Sequence, residues 1–213
     1  MQRIALATRS AHKAAEIRAI LRTTHVQLVS LADLGVAESA EEDAIENAET
    51  FIGNAVAKAR YFAARTGLPT IADDSGLEVD ALGGGPGVRT RRFAIDHGYA
   101  GPGGDALDQA NNHMLIEKLQ TVPDEQRGAR YVCAAALAHP SAPGQPGDHL
   151  LTAIGTCPGS ILHNPRGSGG FGYDPLFMLP DLGVTFAELT AEQKNERSHR
   201  ARAFRALAVL LSS

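Results

Sequence analysis

The sequence predicts an α/β fold built on a mixed β-sheet, and two observations lead there. Strand-like runs alternate with helical periodicity through the first half of the chain. Two long strand-like runs, over residues 129–138 and 149–157, then follow each other as an antiparallel pair. Alternation implies parallel strands with crossover helices, and the long pair adds an antiparallel part.

The elements follow in order. Ile4 and Leu6 alternate with alanines, so residues 3–7 read as a buried strand. After the polar turn Thr8-Arg9-Ser10, a helix is expected from about Ala11 to Thr23, with Ser10 as its N-cap. Val26 to Ser30 reads as a strand. The acidic stretch of residues 36–46 precedes a helical pattern with Phe51, Ala55, Ala59 and Phe62 on one stripe. Gly67 ends that helix and Pro69 forbids its continuation. Thr70 to Ala72 reads as a strand running into a turn at Asp73-Asp74-Ser75-Gly76, with a second strand over residues 77–81. Gly83–Gly87 and Gly101–Gly104 read as loops, and a helix is expected from about Asp105 to Gln120. Residues 139–148 read as a hairpin tip and Asn164–Pro180 as a Gly- and Pro-rich segment. One final helix is expected from about Ala191 to Leu211.

Size and composition bound the rest. The 213 residues, 44% of them hydrophobic, suit one domain or one domain with two lobes. About 70% of the surface of such a chain can leave water on folding, so no covalent staple is needed. A charged fraction of 21% and a net charge of −4 exclude disorder as the main state and argue against generic nucleic-acid binding. Cys133 and Cys157 have no second Cys or His at metal-ligand spacing, which argues against a disulfide scaffold or zinc ribbon. Free thiols suit a reducing cytosol. No apolar run is long enough to span a bilayer, and MQRIALATRS reads as a strand without a signal peptide. A cytoplasmic protein without membrane partners is expected.

Five segments could carry chemistry. Thr8, Arg9, Ser10, Ala11, His12 and Lys13 sit at a strand-to-helix junction, where free N–H groups, hydroxyls and an ammonium suit phosphate oxygens. On this segment alone an ordinary helix cap with a solvated lysine is the better reading. Asp73 and Asp74 stand at the C-terminal end of a strand, where α/β proteins place ligands and hard oxygens suit Mg²⁺. Alternation predicts that one Asp faces a ligand while the other braces the turn. Among Glu41, Glu42, Asp43 and Glu46, a single Glu could complete a metal site, or all could be solvated. Gly167 to Gly172 spells G-x-G-x-x-G but lacks the flanking strand and helix, and Pro175 disfavours a helix, so dinucleotide and P-loop readings fail. What remains is a pliable backbone that presents Phe171 and Tyr173 to a flat ligand, or packs them in the core. Lys194, Ser198, His199 and Arg200 cluster within the last helix pattern. Only four lysines stand against sixteen arginines, so each retained lysine is a candidate point-charge contact to phosphate.

Taken together, ATRSAHKAAE, TFIGNAVAKA, ADDSGLEVDALGGGPGV, SGGFGYDPLF and TFAELTAEQKNERSHRARA resemble the pyrophosphatases that remove non-standard purine nucleoside triphosphates. The resemblance spans nearly the whole chain, as a single domain over residues 1–213. It implies an elongated mixed sheet flanked by helices, with two lobes around a central cleft. It further implies homodimers and Mg²⁺-dependent hydrolysis of dITP, ITP and XTP to monophosphate and pyrophosphate. By the same resemblance Asp74 is the catalytic residue, and Glu46 and Asp74 are the metal carboxylates. Thr8, Lys13 and Lys58 are phosphate-facing. Ser75, Phe171, Gly172, Tyr173, Asp174, Lys194, His199 and Arg200 contact substrate, mainly around the base. The chain departs from the family where Asn is usual at Ser10, Glu at Gly53, a Tyr-Ser pair at Arg89-Thr90, and Gly at Ala201. Three other readings are a nucleotide-binding sensor with little catalysis, a pyrophosphatase for other triphosphates, and a nucleic-acid patch at Arg89, Arg91 and Arg92.

Overall fold

The computed structural model describes residues 2–140 and 149–211. The hairpin tip expected over 139–148 thus falls mostly outside the described residues. The chain folds into two compact units. The first comprises residues 1–74, 133–155 and 199–213, the second residues 75–132 and 156–198.

A seven-stranded mixed sheet has the order β2-β1-β3-β4-β5-β6-β7. The strands are β1 (Gln2–Leu6), β2 (Val26–Ser30), β3 (Thr70–Val79), β4 (Gly128–Ala138), β5 (Leu150–Ile161), β6 (Phe177–Leu179) and β7 (Val184–Thr185). β1 pairs in parallel with β2 and β3, while β6 pairs antiparallel with β5 and β7. The helices are α1 (Ala11–Leu21), α2 (Phe51–Thr66), α3 (Phe93–Asp96), α4 (Asp105–Lys118), α5 (Ala191–Arg197) and α6 (His199–Leu211). No described helix is long and apolar enough to cross a membrane.

In the first unit Ile4, Leu6, Ile17, Leu21, Ile71, Cys133 and Phe204 form a buried apolar cluster. Alternate residues of β1 and the 3.6-residue stripe of α1 supply it, as the sequence pattern requires. Gly155 lets α6 lie directly on β5. A Cβ there would stand 2.2 Å from the His199 carbonyl oxygen and 2.4 Å from the Ala203 nitrogen. This close approach seats the N-terminus of α6, with His199 and Arg200, against the sheet. In the second unit Leu77, Leu115, Tyr131, Leu176, Phe177 and Phe186 form a separate core. Cys133 and Cys157 are free, buried thiols, one in each core.

Three expectations are corrected. β3 continues through Asp73-Asp74-Ser75-Gly76, so these residues form a strand interior rather than a turn between two strands. Parallel pairing to β1 at one end and the buried residues Leu77 and Val79 at the other hold it extended. The final helix breaks at Ser198, whose φ of −64° and ψ of 157° are extended. Serine favours this conformation at the start of a helix, and the two segments belong to different units. The segment from Asn164 to Pro180, read as irregular, contains β6, too short for a period-two signal to emerge.

Arg127 holds the second unit together through backbone carbonyls. Its guanidinium donates to the carbonyls of Leu119 at 2.7 Å, Ile161 at 2.7 Å and Leu162 at 3.1 Å. Leu119 ends α4 and Ile161 ends β5, so one planar fork joins a helix C-terminus to a strand end. Arg127→Met should lower stability by about 3 kcal/mol, because three buried carbonyls lose their donors. Urea unfolding monitored by circular dichroism measures this, and a loss below about 1 kcal/mol would contradict it.

Candidate active site

The first unit gathers charged groups around the N-terminus of α1 and the middle of β3. The chain leaves β1 at Thr8, whose hydroxyl accepts from the Ser10 N–H at 3.2 Å. Ser10 caps α1 by accepting from the Lys13 N–H at 3.3 Å, as its type and place predict. Lys13, half-buried, then reaches Asp73 with its ammonium 3.2 Å from Oδ2.

Asp73 is 1% exposed and lies at the centre of an ion network. Its Oδ2 accepts from Arg200 Nε and Nη2, each at 3.3 Å. Arg200 also pairs with Glu16 of α1, and Lys58 of α2 donates to the Asp73 backbone carbonyl at 2.8 Å. Burial pushes the Asp73 carboxyl upward, but Lys13 and Arg200 outweigh it and hold it well below the usual carboxylate range. Cys133 lies beside it, 4.0 Å from Oδ2. Burial and the Asp73 charge push that thiol far up.

Asp74 differs from its neighbour. Its Oδ2 accepts from Asn54 Nδ2 at 2.9 Å, and Asn54 Oδ1 in turn accepts from the Ala48 N–H at 2.8 Å. Burial raises the Asp74 carboxyl above its ordinary value, Lys13, Lys58 and Asn54 pull it back in part, and Glu46 adds to the rise. Glu46 pairs with Lys58. Burial raises Glu46 too, but there Lys58 prevails and the carboxyl ends low. Burial likewise lowers Lys58, yet Glu46 and Asp73 leave its ammonium above the ordinary lysine value.

The second unit builds its own cluster around Asp174, 2% exposed. Oδ2 accepts from Lys194 at 2.6 Å and from the Phe171 N–H at 2.9 Å. The Lys194 ammonium stands 4.6 Å from the centroid of the Phe171 ring, within cation–π range. Thr190 caps α5 with Gln193 in a reciprocal box, which fixes the turn carrying Lys194. Ser75, half-buried in β3, belongs to the same unit.

Five of the expected substrate contacts, Tyr173, Asp174, Lys194, His199 and Arg200, are buried. Tyr173 is 2% exposed in the core of the second unit, with its hydroxyl donating to the Thr90 carbonyl at 2.9 Å. Its hydroxyl thereby ties the loop down, and Phe171 is the half-buried aromatic of the pair. Arg200 is 1% exposed and committed to Asp73 and Glu16. Arg9 is also engaged, donating to Glu42 at 2.7 and 3.0 Å and to the Val36 carbonyl at 2.9 Å. Ala11 and His12 are exposed on the first turn of α1. His199 is buried at the start of α6. Thus Thr8, Ser10, Lys13, Glu46, Lys58, Asp74, His199 and Arg200 belong to the first unit. Phe171, Gly172, Tyr173, Asp174 and Lys194 belong with Ser75 to the second.

Sequence reading missed Asn54 and Glu16. Asn54 carried a signal, because it falls on the apolar stripe of α2 beside Phe51 and Ala55 and is 2% exposed. A polar residue on a buried stripe needs partners, and here they are Ala48 and Asp74. Glu16 carried none, since its partner lies 184 residues away.

The sequence pattern of the Ham1 family matches residues 4–210. The chain belongs to the Ham1 family. It is 46% identical over 208 residues to the dITP/XTP pyrophosphatase of Shigella flexneri, covering 97% of this chain and 96% of that protein. Among solved structures, a HAM1 protein from Coxiella burnetii is 35% identical with a TM-score of 0.81, covering 100% of this chain and 99% of that one. A nucleoside-triphosphatase, or dITP/XTP pyrophosphatase, from Mycobacterium abscessus is 40% identical with a TM-score of 0.70, covering 98% and 97%.

Asp73→Asn should keep side-chain size but leave Arg200 and Lys13 without their buried counter-charge. The expected loss of stability is about 3–5 kcal/mol in urea unfolding. An unchanged midpoint and slope would show that Glu16 alone suffices for Arg200.

Proposed function

We propose that this Ham1-family protein hydrolyses non-standard purine nucleoside triphosphates, dITP, ITP, XTP and dXTP, to the monophosphate and pyrophosphate. The observation that carries this reading is the Asp74 carboxylate, oriented by Asn54 and felt by Glu46, Lys13 and Lys58. Membership of the Ham1 family and the pyrophosphatases among its relatives support it.

Glu46 and Asp74 fit a hard divalent cation, and Mg²⁺ is the one proposed. Both donors are carboxylates, and each lies within electrostatic reach of the other. The cluster sets four carboxylates (Glu16, Glu46, Asp73 and Asp74) against three cations (Lys13, Lys58 and Arg200). A polyphosphate needs more positive charge than that balance offers. Two carboxylates, with phosphate oxygens and water completing the shell, match how Mg²⁺ is usually held. When bound, the ion would neutralise phosphate charge and lower the pKa of a ligated water.

The chain's own residues do the rest. Lys13 and Lys58, with the N–H groups at the start of α1 and the Thr8 and Ser10 hydroxyls, bind the triphosphate oxygens and stabilise the departing pyrophosphate. Asp74 orients the water that attacks the α-phosphorus and accepts its proton. Its carboxylate, largely removed from water, stands within hydrogen-bond reach of Asn54 and so is held for that task. Asn54 keeps that carboxylate in one orientation.

In the second unit, Phe171 offers an aromatic face to the base, with Lys194 held beside it by Asp174. Ser75, the Gly172 backbone and His199 are the remaining proposed substrate contacts. Arg200 acts through Asp73, and Tyr173 by supporting the loop. Hypoxanthine and xanthine carry an acceptor oxygen at C6 where adenine carries an amine. A site lined with donors leaves one unpaired against adenine, so discrimination can be large. The protein is proposed to act in the cytoplasm as a homodimer.

A pyrophosphate-release assay across nucleotides, with and without Mg²⁺, tests the reaction. ITP, dITP and XTP should be turned over far faster than ATP, only with the metal, and with pyrophosphate as direct product. Equal rates on ATP and ITP would remove the base selectivity, and direct release of phosphate would remove α-attack. Calorimetric binding of ITP without turnover would favour the sensor reading.

Asp74→Asn should reduce turnover at least about 10³-fold, because the amide is neutral and cannot accept the proton. Its thermal midpoint should stay near that of the parent, since Asn54 can still donate to the amide oxygen. An active variant would place the proton acceptor elsewhere.

A further inference from the structure

The loop that carries Phe171 is fixed from outside by two residues that the proposed reaction does not use. Gly172 N–H donates to Asp108 Oδ2 at 2.9 Å, and Asn112 Nδ2 donates to the Gly172 carbonyl at 2.9 Å. Asp108 and Asn112 are four residues apart on α4, so they share one face of that helix. All four groups lie in the second unit.

The placement of these bonds matters more than their number. The Gly172 N–H belongs to the peptide plane before its α-carbon, and the Gly172 carbonyl to the plane after it. Holding both planes fixes the two torsions of Gly172 at once. Its φ is +61°, a region that glycine enters without steric penalty and also leaves freely. Left alone, this glycine would be the softest joint of the loop.

Phe171 is clamped in the same way. The plane before it is held at its N–H by Asp174, and the plane after it is the one held by Asp108. The direction of the Phe171 ring therefore depends on one carboxylate from its own loop and one from α4. Asn112 strengthens the case. Its Oδ1 is buried without a hydrogen-bond partner among the described residues. A buried amide with one arm unsatisfied is a poor choice for packing alone. Its other arm, on the Gly172 carbonyl, is the interaction that justifies it.

We propose that Asp108 and Asn112 are positioning residues for base recognition, locking the Gly172 peptide planes so that Phe171 stands pre-oriented for the purine. This rests on the reading that the base meets Phe171. The interaction asked of Asp108 is acceptance of one N–H, which an amide oxygen can also perform.

The test compares the parent with Asp108→Ala, Asp108→Asn and Asn112→Ala. Three quantities are measured: steady-state kinetics with ITP and ATP, inhibition by inorganic tripolyphosphate, and exchange of the Gly172 amide by NMR. Asp108→Ala should speed Gly172 exchange and raise KM for ITP, each about tenfold, with a smaller effect on kcat. The preference for ITP over ATP should fall. The tripolyphosphate inhibition constant should stay within about twofold, since that ligand lacks a base. Asp108→Asn should recover most of the loss, and Asn112→Ala should show a weaker form of it. Faster exchange with unchanged KM would overturn the inference, as would an equal loss in Asp108→Asn. A parallel rise in the tripolyphosphate constant would show a general structural defect and also overturn it. A parent enzyme that does not prefer ITP would instead refute the proposed function, while amide exchange would still report on the clamp itself.

Discussion

The buried charge of Asp73 is the constraint on which the first unit depends. A carboxylate removed from water costs several kcal/mol unless opposite charges and donors surround it. Lys13, Arg200 and, through Arg200, Glu16 meet that demand. They come from α1 and α6 and meet Asp73 on β3, so the ion network fixes where two helix N-termini stand relative to the central strand. The turn before α1 is consequently organised by a buried carboxylate on the neighbouring strand. Asp74, one residue further along β3, is held by a neutral amide and keeps a raised pKa. Adjacent positions in one strand thus carry two buried carboxyls in different surroundings, one among cations and one on a neutral amide.

The second unit repeats the device with Asp174. One buried carboxylate receives an ammonium, a backbone N–H and, at 3.4 Å, the Tyr131 hydroxyl. Here the product is the placement of an aromatic ring and a lysine. Glycine is required next to it, since a Cβ at Gly170 would stand 2.0 Å from Asp174 Oδ2. In both units the acidic residue acts by ordering its neighbours.

The departures from the family pattern have local accounts. Ser10 caps α1 as an Asn would. Gly53 is the third residue of α2, where its N–H donates to Thr50 Oγ1 at 3.1 Å and a Cβ would meet Ala48 at 2.6 Å. Its absence of a side chain permits that close approach, next to the Ala48 N–H that holds Asn54. Thr90 keeps a hydroxyl, which accepts from the Leu77 N–H at 2.8 Å, while its carbonyl receives Tyr173. Arg89 pairs with Asp96, and nothing in the structure explains Ala201 in place of Gly beyond its complete burial.

What the sequence determined by itself was local and periodic. β1, β2, α1, α2 and α4 follow from alternation, helical stripes, Ser10 and Gly67, because these signals depend on neighbours within a few residues. The capped start of α1 before Lys13 and the glycine-rich stretch around Phe171 were legible for the same reason, whereas the strand carrying Asp74 runs on past the turn expected there. Tertiary structure alone decided which of those groups would be buried partners and which would remain available. Asp73 and Asp74 are indistinguishable as letters. Their difference arises because Arg200, 127 residues away, reaches one and Asn54 reaches the other. Likewise the extended break at Ser198 and the reach of Arg127 to the carbonyls of Leu119, Ile161 and Leu162 depend on packing between distant segments. Ion pairing and desolvation act through space, so no pattern along the chain encodes them.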